Sequence, residues 1–479
     1  MENNYCARLF IAFSLLFVFT KKNVQANAPI QESKLVFESR PHYTLTMQEA
    51  IDIAMRNKPN IQALKYEIEA SRQVAKQKLS GYMPQVSVSA TISGSRAPEV
   101  YGAPGTPSTT GNTYSFPQTQ VDLSATQLVY KFSGPIQEYK KARKETQRVM
   151  FSSESERNKV RNLVEESFLN NWLLQQQIKA IKALQESSKK KFEMAQNQNK
   201  LNLLDRKDWL SSVTTKATET VTILNYSEDV IINQRKLEYL LGQPFDLGVD
   251  GVFDENKNIE FEKKQKNTNG NEDKIELTLL WDQKSEQELQ PLEYYQDLAI
   301  KNRPDLKASN KTIDINRDSS KIARFANLPT VGLYGSTGFN GLNARGAKTY
   351  EQFGVTISMP IFDGMLNHYQ YNQAEATVVK AMLDNQDLQN QIRNEINEAF
   401  HSLQKANSVL KSKNVEYLQA KNTFDLQAQR FEIGDISKVD FENAKTDWEN
   451  AKITYIKSQV EAKIVERKMF YACGFPDKI

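Results

Sequence analysis

Between Pro135 and Gly242 the chain contains no glycine and no proline, and between Gly364 and Gly474 only Gly434 interrupts. Runs of that length without a breaker are free to form very long helices. In the second run Leu388, Ile392, Ile396, Ala399, Leu403, Ala406 and Leu410 recur every three or four residues, a single helical stripe. A helix from Pro135 to near Leu201 would be about 100 Å long at 1.5 Å per residue, too long for a compact domain. The 479 residues therefore do not divide into the roughly three globular units that length alone suggests.

The long runs belong to a tandem duplication. Leu45-Thr-Met-Gln-Glu-Ala-Ile-Asp-Ile-Ala-Met-Arg-Asn-Lys-Pro59-Asn is echoed by Tyr295-Gln-Asp-Leu-Ala-Ile-Lys-Asn-Arg-Pro304-Asp. Pro59 and Pro304 lie 245 residues apart, as do Pro84 and Pro329. Further on, Phe192-Glu193-Met194 aligns with Phe424-Asp425-Leu426, Asp208-Trp209 with Asp440-Phe441, and Leu241-Gly242 with Cys473-Gly474, all 232 apart. The difference falls mostly in a Gly-, Pro-, Ser- and Thr-rich loop from Arg96 to Pro117. Two landmarks at one offset make coincidence a poor explanation.

Each copy reads helix, strand, strand, very long helix, helix. Val86, Val88, Ala90 and Ile92 alternate with Ser87, Ser89, Thr91 and Ser93, and Phe353, Val355, Ile357, Met359 and Ile361 with Gly354, Thr356 and Ser358. Period two with apolar residues on one face marks a half-buried strand. Segments of about ten such residues also suit a transmembrane β-barrel. The other two strands, from Thr119 and from Thr330, alternate less cleanly. The expected boundaries are repeat 1 at 44–242, with strands near 84–95 and 119–131, and repeat 2 at 290–475, with strands near 329–338 and 351–361. A polar joint at 243–289, expected to be irregular or partly helical, connects them, and 476–479 form the C-terminal end.

Composition agrees with long helices bearing narrow apolar stripes. Apolar residues make up 39% and mean hydropathy is −0.60, and no run beyond the N-terminus offers about 18 uncharged apolar residues for a helical span. Sixty-two basic against 58 acidic residues, spread evenly, leave no basic footprint for nucleic acid. His42, His368 and His401 are too scattered for a metal centre, no catalytic triad order or phosphate-cradling loop is present, and no cofactor is implied. Residues 1–26 read as a signal peptide, with Arg8 before the apolar Leu9–Phe19 and cleavage after Ala26, or alternatively after Ala28. Residues 27–43 form an N-terminal extension. The exported chain keeps only Cys473, so no internal disulfide can form.

Four strands cannot close a barrel, which needs about eight, and open sheet edges do not occur in lipid. If the hairpins enter a membrane, several copies must close the barrel together.

In the order of its motifs the sequence resembles the TolC-like outer membrane efflux proteins. The resemblance rests on Leu45–Pro59 and its echo, on Pro84 and Pro329, and on Pro360-Ile-Phe-Asp-Gly364 with its echo Val129–Gly134. It continues in Arg430-Phe-Glu-Ile-Gly-Asp-Ile-Ser-Lys-Val-Asp440, followed by Asn443-Ala444. It implies a mainly α fold with a small membrane β contribution: a homotrimer whose 12-stranded barrel, set in outer membrane lipid, continues into a periplasmic α-helical tunnel. It further implies a passive, non-enzymatic exit duct of a diderm bacterium, docked to a periplasmic adaptor and an inner-membrane pump, with 243–289 as a belt around the tunnel.

The helix-to-helix turns are the expected functional sites. The turn residues Leu201 and Asn202 in copy one, and Ile433 and Gly434 in copy two, are expected to dock the adaptor. Asn202 departs from the glycine frequent at both tips of the family. Beyond the turns lie Asp205 and Asp208, and Asp435 and Asp440. The resemblance places Asp440 foremost, and the other three with it, at the periplasmic aperture. A ring of carboxylates there favours cations. Arg430 and Lys438 are expected as partners of the tip carboxylates in a closed state, while Asp435 alternatively favours the N-terminus of the last helix. The competing reading is a periplasmic adaptor or structural coiled-coil component without its own pore. It fails to account for two copies of the hairpin and for the alternating strands.

Overall fold

The computed structural model describes residues 43–93, 118–132, 134–201, 206–242, 275–277, 290–341 and 348–474. The expected signal peptide, the Arg96–Pro117 loop, most of the 243–289 joint and the last residues lie outside them. In chain order the elements are β1 (Tyr43–Leu45), α1 (Met47–Asn57), α2 (Pro59–Leu79), β2 (Gln85–Ser93), β3 (Gln118–Lys131), α3 (Pro135–Lys200) and α4 (Arg206–Leu241). They continue with β4 (Ile275–Leu277), α5 (Leu292–Asn302), α6 (Pro304–Arg324), β5 (Thr330–Gly341), β6 (Lys348–Ser358), α7 (Leu366–Glu432) and α8 (Lys438–Ala472).

The first helix expected in each repeat is two helices. Lys58 and Arg303 hold extended ψ angles of 120° and 123°, as residues before proline prefer. Pro59 and Pro304 then open α2 and α6 at the position where a missing N–H costs nothing. Thr46 and Glu49 close α1 with a reciprocal capping box. The breaker-free runs behave as read: α3 has 66 residues and α7 has 67, each about 100 Å at 1.5 Å per residue.

The duplication is visible in the core. Val160, Val164, Phe168, Leu237 and Leu241 are buried with Ala54 and Ile61 in repeat 1. Their counterparts at the two offsets, Ile392, Ile396, Phe400, Met469 and Cys473 with Ala299 and Leu306, are buried in repeat 2. The expected stripe on α7 supplies Leu388, Ile392, Ile396, Ala399 and Leu403 to that cluster. A third cluster joins the repeats, with Leu169 and Leu173 of α3 against Val460 of α8.

The strands form one antiparallel sheet in the order β2-β3-β5-β6. In register, Val88 faces Leu123, Leu123 faces Thr337, and Leu333 faces Val355, so residues directly opposed share a face. One face carries Val86, Val88, Ile92, Val121, Leu123, Val331, Leu333, Phe353, Val355 and Ile357, and the other Ser87, Ser89, Ser124, Asp122, Gln352 and Tyr350. The strands are not half-buried in one protomer, since Phe353 is 91% exposed and Val355 61%. A bulge between Leu128 and Tyr130 shifts the alternation of β3 and explains its blurred pattern. The last strand stops at Ser358 rather than near 361, because Pro360 has no N–H to pair. One strand pair was not foreseen: β1 pairs in parallel with β4, a short strand within the joint.

Candidate functional site at the hairpin tip

The α7–α8 hairpin ends in a turn built from its sequence. Gly434 adopts φ 78°, the left-handed conformation that terminates helices and that glycine takes without strain. Gly434 N–H bonds to the Phe431 carbonyl at 3.0 Å and Asp435 N–H to the Arg430 carbonyl at 2.9 Å. Ile433 projects from this turn, 79% exposed. Behind it Phe431 stacks on Phe441 at 4.8 Å, and Phe424 stacks on Trp448 at 4.9 Å, which clamps the last turns of α7 to the first turns of α8.

Arg430 pairs with a tip carboxylate, as expected, and the carboxylate at the start of α8 is Asp440 rather than Asp435. Arg430 Nε donates to Asp435 Oδ2 at 2.7 Å, so Asp435 is paired across the turn. It is Asp440 that serves the start of α8. Ser437 is the N-cap, its hydroxyl accepting from Asp440 N–H at 3.1 Å and donating to Asp440 Oδ2 at 2.7 Å. A carboxylate in the first turn also favours the positive end of the helix dipole. Ser437-Lys-Val-Asp440 is thus a capping sequence, a signal legible in the chain and missed beside the glycine. Lys438 is exposed and makes no ion pair among the described residues.

Arg430 and Asp440 border one groove of about 620 Å³ that Glu416, Asn443 and Asp447 also line. Three carboxylates thus share it with one guanidinium, which is committed to Asp435. Glu416 and Asp447 were not foreseen. Asp447 lies two turns beyond Asp440, on the same face of α8.

At the first tip α3 ends at Lys200, Leu201 is 69% exposed and α4 begins at Arg206. Asn202 and Asp205 lie outside the described residues, and Asp208 falls in the first turn of α4. Phe192 packs on Trp209 at 5.6 Å, and Lys216 Nζ lies 4.0 Å from the Phe192 ring centroid. These are the counterparts of Phe424, Phe441 and Trp448, so a cation–π contact replaces a stacked indole.

Among the described residues no group of His, Cys, Asp and Glu could hold a metal ion, and no helix is long and apolar enough to cross a membrane.

The family model described as outer membrane efflux protein matches residues 296–474, most of the second repeat. No curated protein matches the chain. The fold is similar to that of the Campylobacter jejuni CmeC outer membrane channel, with TM-score 0.70 and 15% identity over 90% of this chain and 87% of that one. It is similar also to the Vibrio cholerae outer membrane protein VceC, with TM-score 0.67 and 16% identity over 90% and 97% of the chains. The open state of the Neisseria gonorrhoeae MtrE outer membrane channel gives TM-score 0.66 and 14% identity over 90% and 89%. At such identities these structures speak for the fold of the whole chain, and the family match covers most of repeat 2. The second repeat thus matches the outer membrane efflux protein family, and the chain as a whole shares the fold of these outer membrane channels.

Proposed function

We propose that three copies of this chain form a passive export duct, with the sheets closed into a barrel in the outer membrane and the helices continuing as a tunnel in the periplasm. The observation that carries this reading is the sheet. One face is mainly apolar across all four strands, interrupted by Gln127, Thr337 and Glu351, and no described element covers it, while the opposite face is mainly polar. That is the pattern of a lipid-facing wall around a wet lumen. Both outer strands, β2 and β6, have one unpaired edge among the described residues, and lipid tolerates such edges only when they are closed. Four strands from each of three copies would close them.

In this duct the tips point into the periplasm. Gly434, Ile433, Leu201 and Asn202 form the docking rim for a periplasmic adaptor, and an inner-membrane pump supplies the energy. Asp440, with Asp435, Asp208 and Asp205 nearby, lines the aperture. A threefold ring of Asp440 carboxylates favours cations. Opening exchanges the Arg430–Asp435 contact at each tip for contacts with the adaptor. An adaptor reading of this chain itself is disfavoured by the duplicated hairpin and by the exposed apolar sheet.

The test is conductance of the purified protein in planar bilayers. The wild type should give discrete, cation-selective steps, and Asp440→Ala should lower the cation-to-anion permeability ratio without abolishing conductance. Unchanged selectivity removes Asp440 from the aperture, and absence of any conductance from an inserted trimer removes the duct.

A further inference from the structure

The two repeats meet inside one chain through α3 and α8. Leu169 and Leu173 of α3 pack on Val460 of α8, Lys468 Nζ lies 3.1 Å from Glu166 Oε1, and Arg467 Nε lies 3.8 Å from Glu165 Oε2. In the duplication α3 corresponds to α7 and α4 to α8. The contact therefore joins a long helix of one repeat to a short helix of the other. It leaves the short helix of repeat 1, α4, and the long helix of repeat 2, α7, with the equivalent faces unused among the described residues.

The 232-residue offset names those faces. Glu166 and Lys468 become Glu398 on α7 and Lys236 on α4, with charges retained. Leu169, Leu173 and Val460 become His401, Lys405 and Glu228. All five of these residues are exposed in the protomer, and Glu398 already accepts from Asn394 Nδ2 at 3.0 Å. The α4 face also carries Ile232, an aliphatic residue 62% exposed, as the counterpart of Ile464 in the internal cluster.

We propose that α7 of one copy docks on α4 of the next in the register of the internal α3–α8 contact, and that this seam between copies carries charged or polar side chains at the three positions where the internal seam packs Leu169, Leu173 and Val460. Lys236 then meets Glu398, and Glu228 lies among His401 and Lys405. The occupant is a second copy of this chain, because the two faces are complementary in charge and reproduce a contact the chain already makes with itself. Such a head-to-tail contact repeats until it closes a ring. The difference in polarity has a physical reason. The internal seam forms as the protomer folds, so it can bury leucine and valine. The outer seam faces water until three copies meet, and charged residues keep those faces solvated in the interim. Ionic seams are also screened by salt, so the copies separate at high ionic strength before the protomers unfold.

This inference rests on the trimeric reading of the preceding section, and the experiment separates the two. Full-length protein carrying Lys236→Cys and Glu398→Cys is extracted in mild detergent, treated with a short bis-maleimide, quenched and run on a denaturing gel. Covalent dimers and trimers are expected, and neither single variant should give the ladder. In parallel, Lys236→Glu alone should lower the trimer fraction several-fold at low salt, and adding Glu398→Lys should restore it. A trimer of normal mass that neither cross-links nor responds to the charge swap overturns this register and leaves the trimer standing. A wild-type protein that is monomeric in the membrane overturns both.

Discussion

Gly242 and Gly474 do the same job twice. Both hold positive φ, 72° and 79°, and both press against the break between the first two helices of their repeat. A Cβ on Gly474 would lie 3.0 Å from Arg303 N, and one on Gly242 would lie 3.1 Å from the Asn57 carbonyl oxygen. Gly434 has the same backbone angle but open space around it. Gly474→Ala should therefore cost about 1–3 kcal/mol and Gly434→Ala about 1 kcal/mol, read as a larger fall in thermal midpoint for the first. Equal shifts would show that the packing around Gly474 contributes nothing.

The break itself is secured differently in the two repeats. Arg303 donates to Asp305 at 2.6 Å and also reaches Glu395 of α7. Burial opposes its charge, but the hydrogen bonds to Asp305 and Glu395 prevail and hold its pKa above the ordinary value. The counterpart in repeat 1, Lys58, has its ammonium 5.0 Å from the ring centroid of Tyr239. Beside Arg303, burial pushes the Cys473 thiol up to about 12 from 9.0, with Arg303 pulling the other way, and the Tyr471 phenol up to about 12 from 10.0. Both groups keep in the fold a proton that the unfolded chain releases at lower pH. Stability should then be unaffected below pH 9.0 and fall as pH rises from there toward 12. Thermal midpoints measured across that window should decline, and Cys473→Ala should flatten the decline. A flat profile for the wild type would contradict the protonated pair.

At the scale of elements, the sheet is the least ordinary part of the protomer. Its cross-strand pairs are satisfied on the polar face, where Ser87 bonds Ser124 at 2.8 Å and Tyr350 reaches Asp122 over Gly338. No described element covers the apolar face. Val355→Arg on that face should cost about 2–4 kcal/mol near the bilayer centre and sharply reduce the protein recovered in the outer membrane. Gln352→Arg on the polar face should be recovered normally. Equal recovery of the two variants would mean that the faces are not lipid and lumen.

Much of this element plan was legible in the sequence, for identifiable reasons. The absence of breakers left a long helix free to form from Pro135, while its end near Leu201 was legible only through the alignment with the Gly434 turn, since the run has no glycine or proline before Gly242. The strand edges were less legible. A bulge in β3 breaks the period of two, and an apolar pattern continuing past Ser358 conceals that Pro360 ends the pairing. The short β1–β4 pair is three residues on each side, too short to show a period. At the tip, glycine and the acidic residues were visible, but their division of work was not. That depended on Ser437 accepting one bond and donating another, and on Arg430 bending back over Gly434.

At the scale of the whole molecule, duplication is the organising fact. One unit built twice gives two long helices, two hairpin tips, two half-sheets and a repeated core, and it leaves two faces and two sheet edges that a single copy cannot satisfy. In the proposed duct the helices are long because they wall a tunnel, and the apolar share is thin because one wall of the barrel and most of the tunnel are wet. Near-neutral charge and scattered histidines are then unremarkable, since a passive duct needs neither a catalytic centre nor a nucleic-acid surface. The residues that matter most are those at the open ends of this plan: the edges of β2 and β6, the faces of α4 and α7, and the two tips.

The native mass of the protein extracted from isolated outer membranes tests the central claim most directly. The account predicts three protomers per particle, recovered from the outer membrane fraction and resistant to mild heating in detergent. Recovery as a single protomer in the soluble periplasmic fraction would contradict it.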